Sequence, residues 1–382
     1  MVPTAKISPP VVPVSKKTSE SAPAPSRIET AFAANHLNPL RSVAQAADAF
    51  TGALSRDLSA LGGAAPADLL RFPWPGKGSA GRPGWIGRAD PTPTTDVTDQ
   101  FRTLNAQASH GQHVLPSDAG KYKYLVIGGL FGKHLPGYMD ENVSALKSQG
   151  LDARQVPVDS DASVTRNAET IRKAIEEATR DGSQVVLIGH SKGGVDSAAA
   201  LAMHPELKDK VRAMVAIQSP FGGSPIAQDI QDSPLIRRLV NGVVGDVFRG
   251  DPQSVKDLTY DSREKFLAQY PLPTDVPSVC VATSRLSPAS ILASSEGYMK
   301  ARYGFPSDGL VNPADAVIPG SHVVRLNDMD HAEPTLHGLP GFSNYYPGNV
   351  TLASVALALD AAREKDVARA PAAEGWAFSE AF

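Results

Sequence analysis

A serine hydroxyl is a weak nucleophile until a neighbouring base takes its proton. The chain has one serine in the setting this chemistry needs, Ser191 in Gly189-His190-Ser191-Lys192-Gly193. The apolar run Val185-Val186-Leu187-Ile188 precedes it, and small residues from Val195 to about Met203 follow. That order predicts a strand, a sharp turn and a helix, with Ser191 at the turn. The G-x-S-x-G spacing suits such a turn because glycines let strand and helix pass close to the serine. The hydroxyl then stands clear of the sheet, and the amino end of the helix faces negative charge developing on a reacting carbonyl.

The serine requires an imidazole base, and the base requires a carboxylate that holds its tautomer. Where the nucleophile sits on a strand-to-helix turn, the chain order is serine, acid, histidine. His204, His322, His331 and His337 follow Ser191. His204 falls at the far end of the helix, and His322 opens an apolar strand. His331, in Asp328-Met329-Asp330-His331-Ala332-Glu333, lies just beyond the last strand and is the preferred base, with His337 second. For the acid, Asp308 in Ser307-Asp308-Gly309-Leu310-Val311 is preferred to Asp315 and Asp328. Gly309 permits a tight turn that aims the Asp308 carboxylate inward. Two backbone amides would hold the oxyanion: that of Lys192, after the nucleophile, and that of Leu130, where Gly128 and Gly129 allow close approach. The Lys192 side chain is expected on the surface.

Strands must bring these groups to one edge. Tyr122 to Ile127, Ala153 to Val158, the run before Ser191, Val211 to Ile217, Ser278 to Ala282 and His322 to Leu326 read as strands. Helices are expected over about 139–148, over a stretch with Val164, Ala168, Ile171, Ile175 and Ala178 on one face, and over about 350–365. The alternation predicts an α/β fold with a mostly parallel, doubly wound sheet and chemistry at the carboxyl ends of its strands. Between about 224 and 275 the alternation breaks into helical pieces, 234–244 and 254–270, which read as an inserted cap or lid. Residues 285–306 read as loop. Gly132-Lys133 is not a phosphate loop: the glycine spacing is one short and no Ser or Thr follows the lysine.

The 382 residues are 42% hydrophobic and 20% charged with net charge −3, an ordinary globular composition with no basic field for nucleic acid. The lone Cys280 cannot form an intramolecular disulfide and reads as core. No apolar run is long enough to span a membrane, and the amino terminus lacks the apolar segment of a secretory signal. The compartment stays open between cytoplasmic and export by a non-standard signal. Residues 1–36 form a Pro/Ser/Ala-rich tail expected to be disordered. Residues 37–118 combine an amphipathic helix over 38–61 with a Pro/Gly-rich linker carrying Trp74 and Trp85. Charges on the helix cancel, so docking on the main domain is preferred to anionic lipid. Residues 119–369 form the α/β domain and 370–382 a tail.

These residues together resemble the bacterial triacylglycerol lipases and esterases of the α/β-hydrolase superfamily, over about Lys123 to Pro334. Gly128-Gly129-Leu130-Phe131-Gly132 looks like that family's oxyanion loop and Gly189-His190-Ser191-Lys192-Gly193-Gly194 its nucleophile turn. Asp257-Leu258-Thr259 with Phe266 resembles its lid-side segment, Asp308-Gly309-Leu310-Val311 its acid turn, and Met329-Asp330-His331 its histidine loop. The resemblance implies Ser191, Asp308 and His331 as a triad and the Leu130 and Lys192 amides as oxyanion donors. The chain departs from the family at Gly128, where a histidine is usual. Many members bind calcium near the histidine loop. Glu333 sits where one ligand would be, but no second ligand can be assigned, so neither metal nor cofactor is expected.

The expected function is hydrolysis of a carboxylic ester with a hydrophobic acyl group, through an acyl-enzyme. One rival is deacylation or acyl transfer on a lipid- or protein-linked group, and another is a catalytically silent binding module on the same fold. A small-molecule or lipid ester is the expected partner, with transient lipid-interface contact left open and no nucleic acid or obligate protein partner.

Overall fold

The structure is a computed structural model that describes residues 82–130, 132, 135, 137–232, 252–287, 290, 292–337 and 345–369. Seven strands form one sheet: β1 Thr95–Asp96, β2 Tyr122–Ile127, β3 Asp152–Gln155, β4 Gln184–His190, β5 Val211–Ile217, β6 Ser278–Thr283 and β7 His322–Leu326. Their order is β1-β7-β6-β5-β4-β2-β3, and every neighbouring pair is parallel. The helices are α1 Trp85–Ala89, α2 Thr98–Ser109, α3 Asp140–Ser148, α4 Val164–Ala178, α5 Lys192–Met203, α6 Pro225–Asp232, α7 Pro252–Lys256, α8 Tyr260–Gln269, α9 Ala293–Tyr303 and α10 Pro347–Arg369.

A parallel sheet must be covered on both faces, which explains the apolar runs Leu125–Ile127, Val185–Ile188, Ala213–Ile217 and Val279–Ala282 in its central strands. Successive side chains point to opposite faces. Leu125, Ile127, Val185, Leu187, Met214, Ala216, Cys280 and Val323 pack beneath α4 and α5. Tyr124, Val126, Val186, Ile188, Val215, Val279, Val281 and Val324 pack beneath α2, α3 and α10. The α4 stripe read from the sequence is buried along its length, and the Ser163 hydroxyl caps its start by accepting from Arg166 N. Five of its residues lie on that stripe, so burial rather than helix propensity holds it in place.

Three expectations need correction. Residues 63–118, expected to be a Pro/Gly-rich linker, contribute β1 as an edge strand of the sheet. Thr95 N donates to Ser321 O at 3.0 Å and Val97 N to Val323 O at 2.9 Å. α2 then buries Phe101 against the helical layer. Two exposed strand residues carry no alternation, so the sequence had no period to show. Residues 285–306, read as loop, contain α9, and its Gly304 stop sits in the left-handed region. The single helix expected over 254–270 is two, α7 and α8, because Thr259 leaves the helical conformation and caps α8 by accepting from Ser262 N. The helix expected over 38–61, the piece over 234–244, both tails and Trp74 lie outside the described residues. Trp85 is packed against the core, and its indole donates to Gly222 O at 2.7 Å. Among the described residues no helix is long and apolar enough to cross a membrane.

Candidate active site

Because all seven strands are parallel, the segments leaving β2, β4, β5, β6 and β7 meet at one edge. β4 runs straight into Ser191, whose backbone has φ 54° and ψ −127°. That is a sparse region for a residue with a Cβ. It persists because the surroundings leave no other path. Ser191 N donates to Ile217 O at 2.8 Å, and Gly194 N donates back to Ser191 O at 3.1 Å. A Cβ on Gly193 would lie 2.3 Å from Ile127 O, and one on Gly189 would lie 2.5 Å from Gly194 Cα. The two glycines of the pentapeptide are thus dictated by backbone packing on either side of the serine.

The structure brings three of the sequence candidates into one hydrogen-bonded row. Ser191 Oγ lies 2.9 Å from His331 Nε2, and His331 Nδ1 lies 2.8 Å from Asp308 Oδ2. All three side chains are buried. The other oxygen, Asp308 Oδ1, accepts from Leu310 N at 3.0 Å and Val311 N at 2.7 Å. Gly309, at φ 103°, makes the turn that points those amides at the carboxylate. The His331 amide also donates to Asp308 O at 2.9 Å, joining the two loops through backbone. In such a row the carboxylate fixes the Nδ1–H tautomer, leaving Nε2 bare to take the serine proton.

The rival residues stand elsewhere. His337 is exposed and meets the Tyr346 ring edge to face, with ring centroids 4.9 Å apart. His204 meets Glu169 at 2.6 Å, and His322 faces Glu364 at 3.3 Å. Asp328 is exposed. Asp315 is buried, accepts from Gly84 N and from Tyr260 Oη, each at 2.7 Å, and so anchors the α1 segment instead. Burial pushes the Asp315 carboxyl up to about 7, against the opposing hydrogen bonds from Tyr260 and Gly84. The folded chain keeps a proton there that the unfolded chain releases above about pH 4. This group's stabilisation is therefore full below that pH and is lost as pH rises through about 7. Asn in its place can still accept from Gly84 and can donate to Tyr260. Asp315→Asn is expected to melt above the parent near pH 8 and to lose that advantage near pH 4; thermal melts at about those two pH values read the crossover.

Gly129 packs directly on the turn: a Cβ there would lie 2.8 Å from Ser191 Cβ and 3.2 Å from Lys192 N. Its amide is already used, donating to Tyr138 Oη at 3.0 Å. The next amide along the loop is that of Leu130, and Lys192 opens α5 with its amide at the helix amino end. The Tyr138 ring fills the space a side chain at position 128 would need, since a Cβ on Gly128 would lie 2.8 Å from it. That is the physical reason for glycine where the resembling family has histidine.

The Lys192 side chain is a correction. It is wholly buried, and its Nζ meets the two Asp196 oxygens at 2.9 and 2.8 Å. Asp196 also accepts from Asn167 Nδ2 at 2.8 Å. α5 is buried from Lys192 through Leu201, so a charge on it must find a partner inside. The i, i+4 spacing of Lys192 and Asp196 was the available signal.

Sequence reasoning missed Tyr138, His190 and Gln218. His190, the last residue of β4, is buried with its Nδ1 2.5 Å from Tyr138 Oη. Its Nε2 lies 3.0 Å from both Gln218 Oε1 and His331 O. Burial, with repulsion from His331, pushes the His190 imidazole down to about 3, so it is neutral. A polar residue inside an otherwise apolar strand that is buried on both faces was the signal.

The Glu333 carboxylate does not fit a calcium ligand, because it is buried against the Arg285 guanidinium, a cation the chain supplies itself. Among the described residues no group of three or more His, Cys, Asp or Glu is arranged to hold a metal ion.

Residues 140–262 match the family described as "PGAP1-like alpha/beta domain". No curated protein sequence matches the chain. Among solved structures, the metagenomic carboxyl esterase MGS0156 is similar at TM-score 0.56 and 22% identity, covering 74% of this chain and 95% of that one. The mature Bacillus licheniformis lipase BlEst2 is similar at TM-score 0.49 and 17% identity, covering 65% and 93%. Sheet order, nucleophile turn and the MGS0156 superposition agree, and the chain has the α/β-hydrolase fold.

Proposed function

We propose that the chain is a serine hydrolase that cleaves a carboxylic ester with a hydrophobic acyl group. The observation that carries this reading is the unbroken row Ser191–His331–Asp308, with Ser191 held in a strained turn at the strand ends. In the first half-reaction Ser191 Oγ attacks the acyl carbonyl while His331 Nε2 takes its proton. Asp308 stabilises the imidazolium that forms. The carbonyl electrons move onto oxygen, where the Leu130 and Lys192 amides donate to the oxyanion. Collapse expels the alcohol, which takes the proton from His331. Water, activated by the same imidazole, then releases the acid and restores Ser191. A solved structure similar to this chain at TM-score 0.56, MGS0156, is named a carboxyl esterase, which favours a carboxylic ester.

The parent chain is expected to turn over p-nitrophenyl esters with a preference for acyl chains longer than acetyl, and to be labelled by a fluorophosphonate at Ser191. Labelling is read by peptide mass mapping. A folded chain that neither hydrolyses any ester of the series nor takes the label would sink the proposal.

A further inference from the structure

We propose that Tyr138 and His190 are positioning residues, joined in a hydrogen-bond chain that ties the Gly129–Leu130 loop to the His331 loop. The inference rests on the hydrolase reading above, and it concerns groups that make no contact with the reacting atoms.

The chain has only one possible polarity. At one end stands the Gly129 amide, which can only donate; at the other stands the His331 carbonyl, which can only accept. His190 Nε2 faces two acceptors, His331 O and Gln218 Oε1, each at 3.0 Å, so Nε2 carries the proton. The Gln218 amide is oriented independently, because its Nε2 donates to Asp330 O at 2.8 Å and to Thr283 Oγ1 at 2.5 Å. His190 Nδ1 is therefore bare and receives the Tyr138 hydroxyl proton across 2.5 Å. The Tyr138 oxygen in turn accepts from Gly129 N at 3.0 Å. Gly129 to Tyr138, Tyr138 to His190 and His190 to His331 all donate in the same sense. Burial of Tyr138, His190 and Gln218 keeps water from substituting for any member.

Two mechanical consequences follow. The Tyr138 hydroxyl turns the Gly129 amide away from Ser191, which leaves the Leu130 amide as the next donor of the loop. The Tyr138 ring also packs on both flanks of that loop, within 2.8 Å of a Cβ on Gly128 and 3.2 Å of one on Gly132. Meanwhile His190 and Gln218 grip the His331 and Asp330 carbonyls, so the loop bearing the base is held by the same chain. Loss of any link loosens the oxyanion donor and the base together.

Tyr138→Phe keeps the ring and removes the hydroxyl. It is expected to lower kcat about 10- to 100-fold with KM changed less than about threefold, the pattern of an interaction that matters in the transition state. His190→Gln can still donate toward His331 O but removes the ring nitrogen Nδ1 held rigidly against the Tyr138 hydroxyl, and is expected to show the same split. The double variant should be no worse than about threefold below either single variant, because both break one chain. Rates are referred to fluorophosphonate-titrated sites, which removes the misfolded fraction. A Tyr138→Phe enzyme within about twofold of the parent, or losses that multiply in the double variant, overturns the inference. Should Tyr138→Phe fail to fold, His190→Gln alone carries the same requirement. In a parent that proves inactive, the hydrolase reading fails and the chain is read by nuclear magnetic resonance instead. The His190 ring must show a protonated Nε2 and a bare Nδ1, and whichever of Tyr138→Phe and His190→Gln folds must shift the His331 ring resonances; the opposite His190 tautomer or an unmoved His331 overturns it.

Discussion

Replacing Ser191 with alanine is expected to lower ester turnover about a millionfold, while the chain still folds and melts cooperatively. The loss is this large because the hydroxyl is the atom that forms the acyl bond, and His331 and Asp308 have nothing to activate without it. Residual turnover would come from the oxyanion amides and from binding alone. The backbone makes a second, independent expectation. Ser191 sits at φ 54° and ψ −127°, and a side chain there costs about 1–3 kcal/mol. Alanine keeps that strain; glycine relieves it, against a conformational entropy cost of about 0.5–1 kcal/mol. Ser191→Gly should therefore be as inactive as Ser191→Ala and melt at a higher temperature. Steady-state kinetics and calorimetry on the two variants separate the effects. Turnover persisting in purified Ser191→Ala would remove the serine from the reaction. Equal melting of the two variants would show that the strain in the turn does not exceed glycine's entropy cost of about 0.5–1 kcal/mol.

What the amino-acid sequence makes legible is local along the chain. β5 and β7 run over the residues their patterns predict, because Ala213–Ile217 of β5 and Val323, Val324 and Leu326 of β7 are buried and must be apolar. Ser191, Asp308 and His331 were legible because each sits in a short stretch with backbone demands of its own: paired glycines, a glycine after the acid, a loop just past a strand. What stayed hidden depends on partners far apart in the chain. The spacing of Lys192 and Asp196 shows that the two can pair, but not that α4 closes over the pair and buries it. Tyr138 meets His190 across 52 positions, and His190 meets His331 across 141. β1 is two exposed residues that owe their place to the free edge of β7 rather than to any pattern of their own. α9 was missed because Ser294, Ser295 and Gly297 dilute its helical propensity, and the turn around Asp308 that it packs against lies beyond its end.

Asp308→Asn should keep the fold and lower kcat about 10,000-fold, because it reverses a tautomer rather than removing a contact. The reversal is forced by the backbone. Leu310 N and Val311 N both donate to Asp308 Oδ1, so an amide placed there must turn its oxygen toward them to avoid two buried, unpaired donors. Its NH2 group then faces His331 Nδ1 and donates. Nδ1 must become the acceptor, and the ring proton moves to Nε2, where it points at Ser191 Oγ. In that state His331 cannot receive the serine proton, although every heavy atom is near its original position. The His331 amide still donates to Asp308 O, so the loops stay joined and the melting temperature should move little. KM should also change little, since the carboxylate is aimed at the imidazole and not at the substrate. Asp308→Ala makes the contrast: it leaves the Leu310 and Val311 amides unpaired, and should cost about 1–3 kcal/mol of stability in addition to activity. Kinetics with chemical denaturation on both variants decide the matter. If Asp308→Asn retained more than about a tenth of the parent kcat, the carboxylate would not be setting the His331 tautomer, and the acid would have to be sought elsewhere along the same strand edge.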